Sequence, residues 1–172
     1  MLNIVGTSHH YQFGAGTSFG DDYCTEENQS AFVDMLRILA VTLEAKILAE
    51  ELNQQALEEV GKNTSVLQLV AKGLAIQHMF CDPDRGERVK LGIKSENEIR
   101  ITAFPKRLSE AVVKKLEAES IKRREQEWLR RLVEAKSKNI LFICGANHIS
   151  TFVQLALGAG FKCRVAHANW IA

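Results

Sequence analysis

Two runs in this sequence are apolar almost throughout and both stop at glycine: LNIVG at 2–6 and ILFICG at 140–145. A strand with one wet face alternates apolar and polar residues, whereas an apolar run rich in branched residues reads as a parallel strand covered by helices on both faces. Three further segments read as strands: AKILAEEL within 45–52, IQHMFCD at 76–82 and GFKCRVAH at 160–167. Helical patterns lie between them. Phe32, Met35, Leu36, Leu39 and Leu43 recur at intervals of three and four. TSVLQLVAKGL offers Thr64 or Ser65 as a cap and Gly73 as a stop, and HISTFVQLALGAG is a helix closed by glycines. This alternation predicts one α/β domain over 1–172, with a largely parallel sheet of about four to five strands, right-handed crossovers and helices on both faces.

Two stretches break the rhythm. His10 to Gln29 is glycine-rich and aromatic, and reads as a long loop beside the first strand. Residues 105–136 read as one helix, about 45 Å long at roughly 1.5 Å per residue. Its apolar stripe runs through Leu108, Val112, Leu116, Ile121, Trp128 and Leu132, with KRREQE at 122–127 in the interval. Arg124 and Glu125 fall on the face that carries Trp128, so one of them is expected to point inward.

Bulk properties narrow the function classes. Lys plus Arg number 22 against 21 for Asp plus Glu, which gives no electrostatic case for a nucleic acid or an anionic membrane as partner. The start lacks the pattern of a signal peptide, and no run approaches the roughly 20 apolar residues of a membrane span, so the chain reads as soluble and cytoplasmic. Cys24, Cys81, Cys144 and Cys163 form no CxxC pair and are expected to be reduced thiols.

In an open parallel sheet, ligands gather beyond the carboxyl ends of the strands. Reactive residues crowd that edge here: Ser8, His9 and His10 after the first strand, Glu50 and Glu51 at the end of the second, Asp82, Asp84 and Arg85 after the third, Asn147 and His148 after the fourth. The first and fourth strands end alike, in Gly6-Thr7-Ser8-His9 and Gly145-Ala146-Asn147-His148. Each glycine is expected to let the chain turn off its strand and offer the histidine at the rim. Two imidazoles and a carboxylate can hold a divalent ion with a position open for water, and a second carboxylate can take the water's proton. The metal candidates are therefore His9, His148, Glu50 and Glu51. Successive strand residues point to opposite faces, so Glu50 and Glu51 can divide the roles of ligand and base. The blander alternative is that both histidines cap helices. His10 suits a ligand or a plain loop residue, His78 a satisfied core residue, His167 the surface, and the Asp82-Pro83-Asp84-Arg85 turn an Asx turn.

The residue set resembles the superfamily that joins erythromycin esterase, TraB/PrgY, ChaN and the Tiki proteases. The matching positions are Gly6 and His9, Glu50 and Glu51, Arg124 with Trp128, and Gly145 and His148; DPDRGER, with Asp84, Arg85 and Arg88, is similar to an Asp-Arg segment of TraB-type members. The resemblance implies an α/β core with its site at the strand ends. For the Tiki branch it implies a hydrolase dependent on a divalent ion such as manganese or cobalt; other branches resemble hydrolases that activate water through His and Glu with no metal firmly assigned, or haem-binding proteins. The chain lacks the large helical insertions of that superfamily. The expected function is a metal-assisted hydrolase of an amide or ester bond in a small molecule or peptide, with manganese, cobalt or zinc as the expected ion. Glu50, Glu51, Arg124 and Arg85 are its catalytic candidates, with an arginine steadying the developing oxyanion. The alternatives are a metal-independent His/Glu hydrolase, a module that binds metal, haem or a small anion without turnover, and a homo-oligomer paired through the 105–136 helix.

Overall fold

The structure, a computed structural model, describes residues 1–19, 22–135 and 139–172. Five parallel strands make one sheet: β1 (Leu2–Thr7), β4 (Ile47–Glu50), β5 (Gln77–Phe80), β6 (Ile140–Gly145) and β7 (Cys163–Trp170), in the spatial order β5-β4-β6-β1-β7. The chain is α/β with a parallel sheet, and the sheet has helices on both faces, as the alternation of patterns dictates. Pairing of Thr7 with Gly145 and of Glu50 with Ile143 sets the carboxyl ends of β1, β4 and β6 side by side.

Side-chain alternation sorts the core. Val5, Leu48, Leu141 and Ile143 face α2 (Glu26–Thr42) and α4 (Val66–Leu74). Leu2, Ile4, Ile47, Ala49, Ile140, Phe142 and Cys144 face α7 (Glu110–Glu134) and α8 (Ile149–Gly158). Every residue of β1, β4 and β6 is buried, because both faces of these strands are covered. The edge strand β7 is half-buried or exposed along its length and meets β1 through register shifts. Among the described residues the cysteines form no disulfide, and burial pushes the Cys81 and Cys144 thiols up, which keeps them inert. No helix among the described residues is long and apolar enough to cross a membrane.

Four expectations change. The segment after His9 is not all loop: it holds a short helix, α1 (His9–Phe13), and a small antiparallel pair, β2 (Ser18–Phe19) with β3 (Asp22–Tyr23). Gly20 and Asp21 of that segment lie outside the described residues. The helix capped by Ser65 runs past Gly73 to Leu74, and Ala75 takes the left-handed conformation instead. The long helix begins at Glu110 rather than 105, because Pro105 to Leu108 form a turn in which Arg107 has φ 49°; Lys136, at its expected end, lies outside the described residues. Its inward stripe is Val113, Ser120, Glu125, Trp128 and Leu132, while Leu108, Val112 and Leu116 are exposed.

Three short helices complete the chain: α3 (Gln54–Glu59), α5 (Arg85–Leu91) and α6 (Glu96–Ala103). Capping boxes begin α5 at Asp84 with Glu87 and α6 at Ser95 with Glu98. Ile99 and Ala103 of α6 pack on Val113, so α6 and the first half of α7 form an arm beside the sheet.

Candidate functional site

The two glutamates at the end of β4 go to opposite faces. Glu50 shares the parity of Leu48 and points to the α4 side, where its Oε1 accepts from Ser65 Oγ at 2.5 Å and pairs with His78 Nε2 at 2.7 Å. Burial is the largest influence on this carboxyl and raises its pKa, against the hydrogen bond from His78. Glu51 shares the parity of Ala49 and points to the α7 and α8 side. Gly145 N–H donates to its Oε2 at 2.7 Å. Its Oε1 is approached by Arg124 Nη2 at 3.0 Å, His148 Nε2 at 3.5 Å and His9 Nε2 at 3.7 Å. Despite these three nitrogens, that buried oxygen accepts no well-directed hydrogen bond among the described residues.

The paired Gly-x-x-His motifs meet here, though the glycines work differently from expectation. Neither Gly6 nor Gly145 has a positive φ, so neither is needed for a turn. Both answer to crowding. A Cβ on Gly6 would sit 2.2 Å from the Ala168 carbonyl oxygen of β7, and one on Gly145 would sit 3.0 Å from His9 Nε2 and 3.4 Å from Glu51 Oε2. Gly145 thus leaves room for the site itself.

His148 ends the 3₁₀ turn Ala146–His148 after β6. Its Nδ1 is 2.8 Å from Glu125 Oε1, which also accepts from Thr151 Oγ1 at 2.6 Å. The imidazole meets the edge of Trp128 at 4.9 Å between ring centroids. Burial opposes its charged form and is the largest single influence. The hydrogen bond to Glu125 and the charge of Glu51 outweigh it, and the pKa of His148 is raised from 6.5.

Arg124 and Glu125 both turn inward, where one was expected. Arg124 Nε donates to Asp82 Oδ1 at 2.5 Å, and its guanidinium carbon lies 5.1 Å from the Trp128 ring centroid. Asp82 is more than the start of a turn: it also accepts from Arg88 Nη2, from Trp128 Nε1 at 3.0 Å and from Asn53 Nδ2 at 3.3 Å. Burial works to raise its pKa, but the Arg124 and Arg88 guanidiniums prevail and hold it below the usual carboxylate range. Asp84 caps α5.

His9, Glu51, Arg124 and His148 therefore come together, and two other candidates do not. Glu50 lies behind the sheet in its own pair. Arg85 is at the surface, bonded to Glu59 Oε1 at 2.8 Å. His10 is buried, with Nδ1 2.9 Å from Ser8 Oγ. Glu125 and Thr151 are parts of the cluster that sequence reasoning did not assign to the site, and Asp82, placed at that edge, was read as no more than an Asx turn. The only signal for the first was its helical register with Trp128.

A cavity of about 930 Å³ opens onto this cluster. Arg88, Arg124, Glu125 and His148 line one part, and Ile93, Ile99, Ile121 and Leu155 give it apolar walls. Its size suits a small organic ligand.

The resemblance implies a divalent ion, and the two imidazoles and the carboxylate of Glu51 are donors of the right kind. Their surroundings are not. Arg124 sets a fixed positive charge 3.0 Å from the oxygen that would bind the ion. Among the described residues no group of three or more His, Cys, Asp or Glu side chains is placed to hold a metal ion.

No family model matches the sequence, and no curated protein or solved structure matches it either. The chemistry of the strand ends carries the functional argument.

Proposed function

We propose that the chain is a hydrolase of an amide or ester bond that activates water through His148 without a resident metal. One observation supports this above the others: the Nε2 atoms of two histidines and one guanidinium face a single buried carboxylate oxygen, and Arg124 and His148 of this group line a cavity.

Glu125 fixes the tautomer. By accepting from Nδ1–H it leaves Nε2 of neutral His148 with a lone pair directed toward Glu51 Oε1. A water that donates one proton to Glu51 Oε1 lies within reach of that lone pair. His148 takes the other proton as the water's oxygen bonds to the substrate carbonyl carbon. The carbonyl becomes an oxyanion, which the guanidinium of Arg124 offsets, and the imidazolium then returns its proton to the departing amine or alcohol. Glu51 holds Arg124 and both histidines around one point, and His9, 35% exposed, closes the outer side.

The test is turnover of an ester and amide panel by wild type and by His148→Gln. A loss on the order of 10²–10⁴-fold is expected for removal of a positioned acid–base group. Equal rates in the two proteins would sink the assignment. Pairing of two copies through α7 remains a separate proposal, motivated by the exposure of Leu108, Val112 and Leu116; a monomer in light scattering removes it.

A further inference from the structure

We propose that the cavity selects an amphiphilic carboxylate: a monoanionic group bound by Arg88 beside Arg124, with an aliphatic portion along the Ile93, Ile99, Ile121 and Leu155 walls. The inference deepens the hydrolase reading by naming its substrate class, an amide or ester that carries a free carboxylate, yet it is decided by binding alone.

Asp82 holds both arginines, one on each of its oxygens. Arg88 spends Nε on the Pro83 carbonyl and Nη2 on Asp82; Arg124 spends Nε on Asp82 and Nη2 on Glu51. Among the described residues the Nη1 group of each makes no hydrogen bond, and both arginines line the cavity together with His148. Two planar donors, fixed by one carboxylate and each with an amine to spare, match the oxygens of a bound carboxylate. The charge balance selects a monoanion. The charged side chains of the lining nearly balance, Arg88, Arg124, Lys94 and Lys122 beside His148 against Glu96, Glu117 and Glu125, so a doubly charged phosphate would face three carboxylates with little cationic excess. Among polar neighbours that include Ser120 and Gln154, the lining also offers the aliphatic side chains of Ile93, Ile99, Ile121 and Leu155, which favour a hydrocarbon tail by area removed from water.

Calorimetric titration with octanoate, octanamide, acetate and octyl phosphate tests this on the full chain. Octanoate is expected to bind at least tenfold more tightly than octanamide, acetate or octyl phosphate. Arg88→Gln should reduce octanoate to the level of octanamide and leave octanamide unchanged. Equal affinity for octanoate and octanamide overturns the anion site, equal affinity for acetate overturns the apolar wall, and preference for octyl phosphate overturns the monoanion. Should Arg88→Gln fail to fold, the ¹³C-carboxyl shift of octanoate bound to wild type still decides: its pKa falls below the free value if guanidiniums face it, and an unchanged or raised pKa overturns the proposal. Octanoate bound with this preference by a protein that cleaves no ester or amide overturns the hydrolase reading and leaves the carboxylate site standing.

Discussion

Glu50 and Glu51 are the same residue type, adjacent in sequence and equally buried, yet they occupy opposite situations. Glu50 meets a hydroxyl and one imidazole in a sealed pair behind the sheet. Glu51 meets two imidazoles and a guanidinium, and Arg124 and His148 of that group line a cavity. The alternation of a β-strand makes the difference, because one residue's step reverses the face. A glutamate pair at a strand end is thus one structural carboxylate and one site carboxylate, and the strand's register decides which is which.

The sharpest way to break that contrast is to neutralise each in turn. Glu51→Gln removes the charge that gathers Arg124, His9 and His148, and should cut turnover on the order of 10²-fold or more, as expected where an acid–base constellation is dispersed. Glu50→Gln should leave turnover within about twofold, a change of under about 0.5 kcal/mol in the barrier. Comparable losses in the two variants, assayed on one substrate, would contradict the division of roles.

Breaking the scaffold of the site comes next. Asp82→Ala leaves Arg124 and Arg88 without their shared partner in a partly buried place, where removal of one member of an ion pair costs about 3–5 kcal/mol when fully buried and less here. Denaturant unfolding should show most of that loss at neutral pH. Because the folded pKa of Asp82 is lowered from 3.8, its stabilisation is present above 3.8 and is lost as pH falls through the lower folded value. The gap between wild type and variant should therefore narrow only in strong acid.

A pH profile then probes His148. As a base it must be neutral, and its pKa is raised from 6.5, so kcat/KM should climb with pH through a value above 6.5. Glu125→Gln takes away the principal influence that raises it, and the acid limb should move to lower pH while the rate falls about tenfold with the lost orientation. An acid limb that stays in place would mean that another group titrates.

Smaller effects fall on the sealed side. The Glu50 pKa is raised from 4.5, so the folded protein holds this proton more firmly than the unfolded chain does, and stability drops as pH rises from about 4.5 toward the folded value. In Glu50→Gln the amide oxygen can still accept from Ser65 and His78, so its melting temperature should match wild type at pH 4 and equal or exceed it at pH 7.5. Least of all, Arg85→Ala should change stability by under about 1 kcal/mol, as surface ion pairs do. Chelator should alter neither melting nor turnover, and a chelator-induced loss restored by one divalent ion would return the cluster to metal chemistry.

The sequence alone determined a great deal here. Unbroken apolar runs could only be satisfied between two layers of helices, so the five strands and the sheet class were legible in LNIVG, ILFICG and their companions. The pairing of two Gly-x-x-His motifs with a glutamate pair was legible too, since strand ends must share an edge. Capping boxes at Asp84 and Ser95 were equally present in the chain as signals for α5 and α6. Only the tertiary structure decided the rest. Which glutamate faces the histidines depended on where β4 ends in register with β6, and the reach of Asp82 to Arg124, 42 positions away, depended on how α7 crosses the sheet. The glycines answered to the neighbours that press on them in space rather than to a local turn. Local pattern fixes what each segment becomes, whereas contacts between distant segments fix which of its polar atoms find partners.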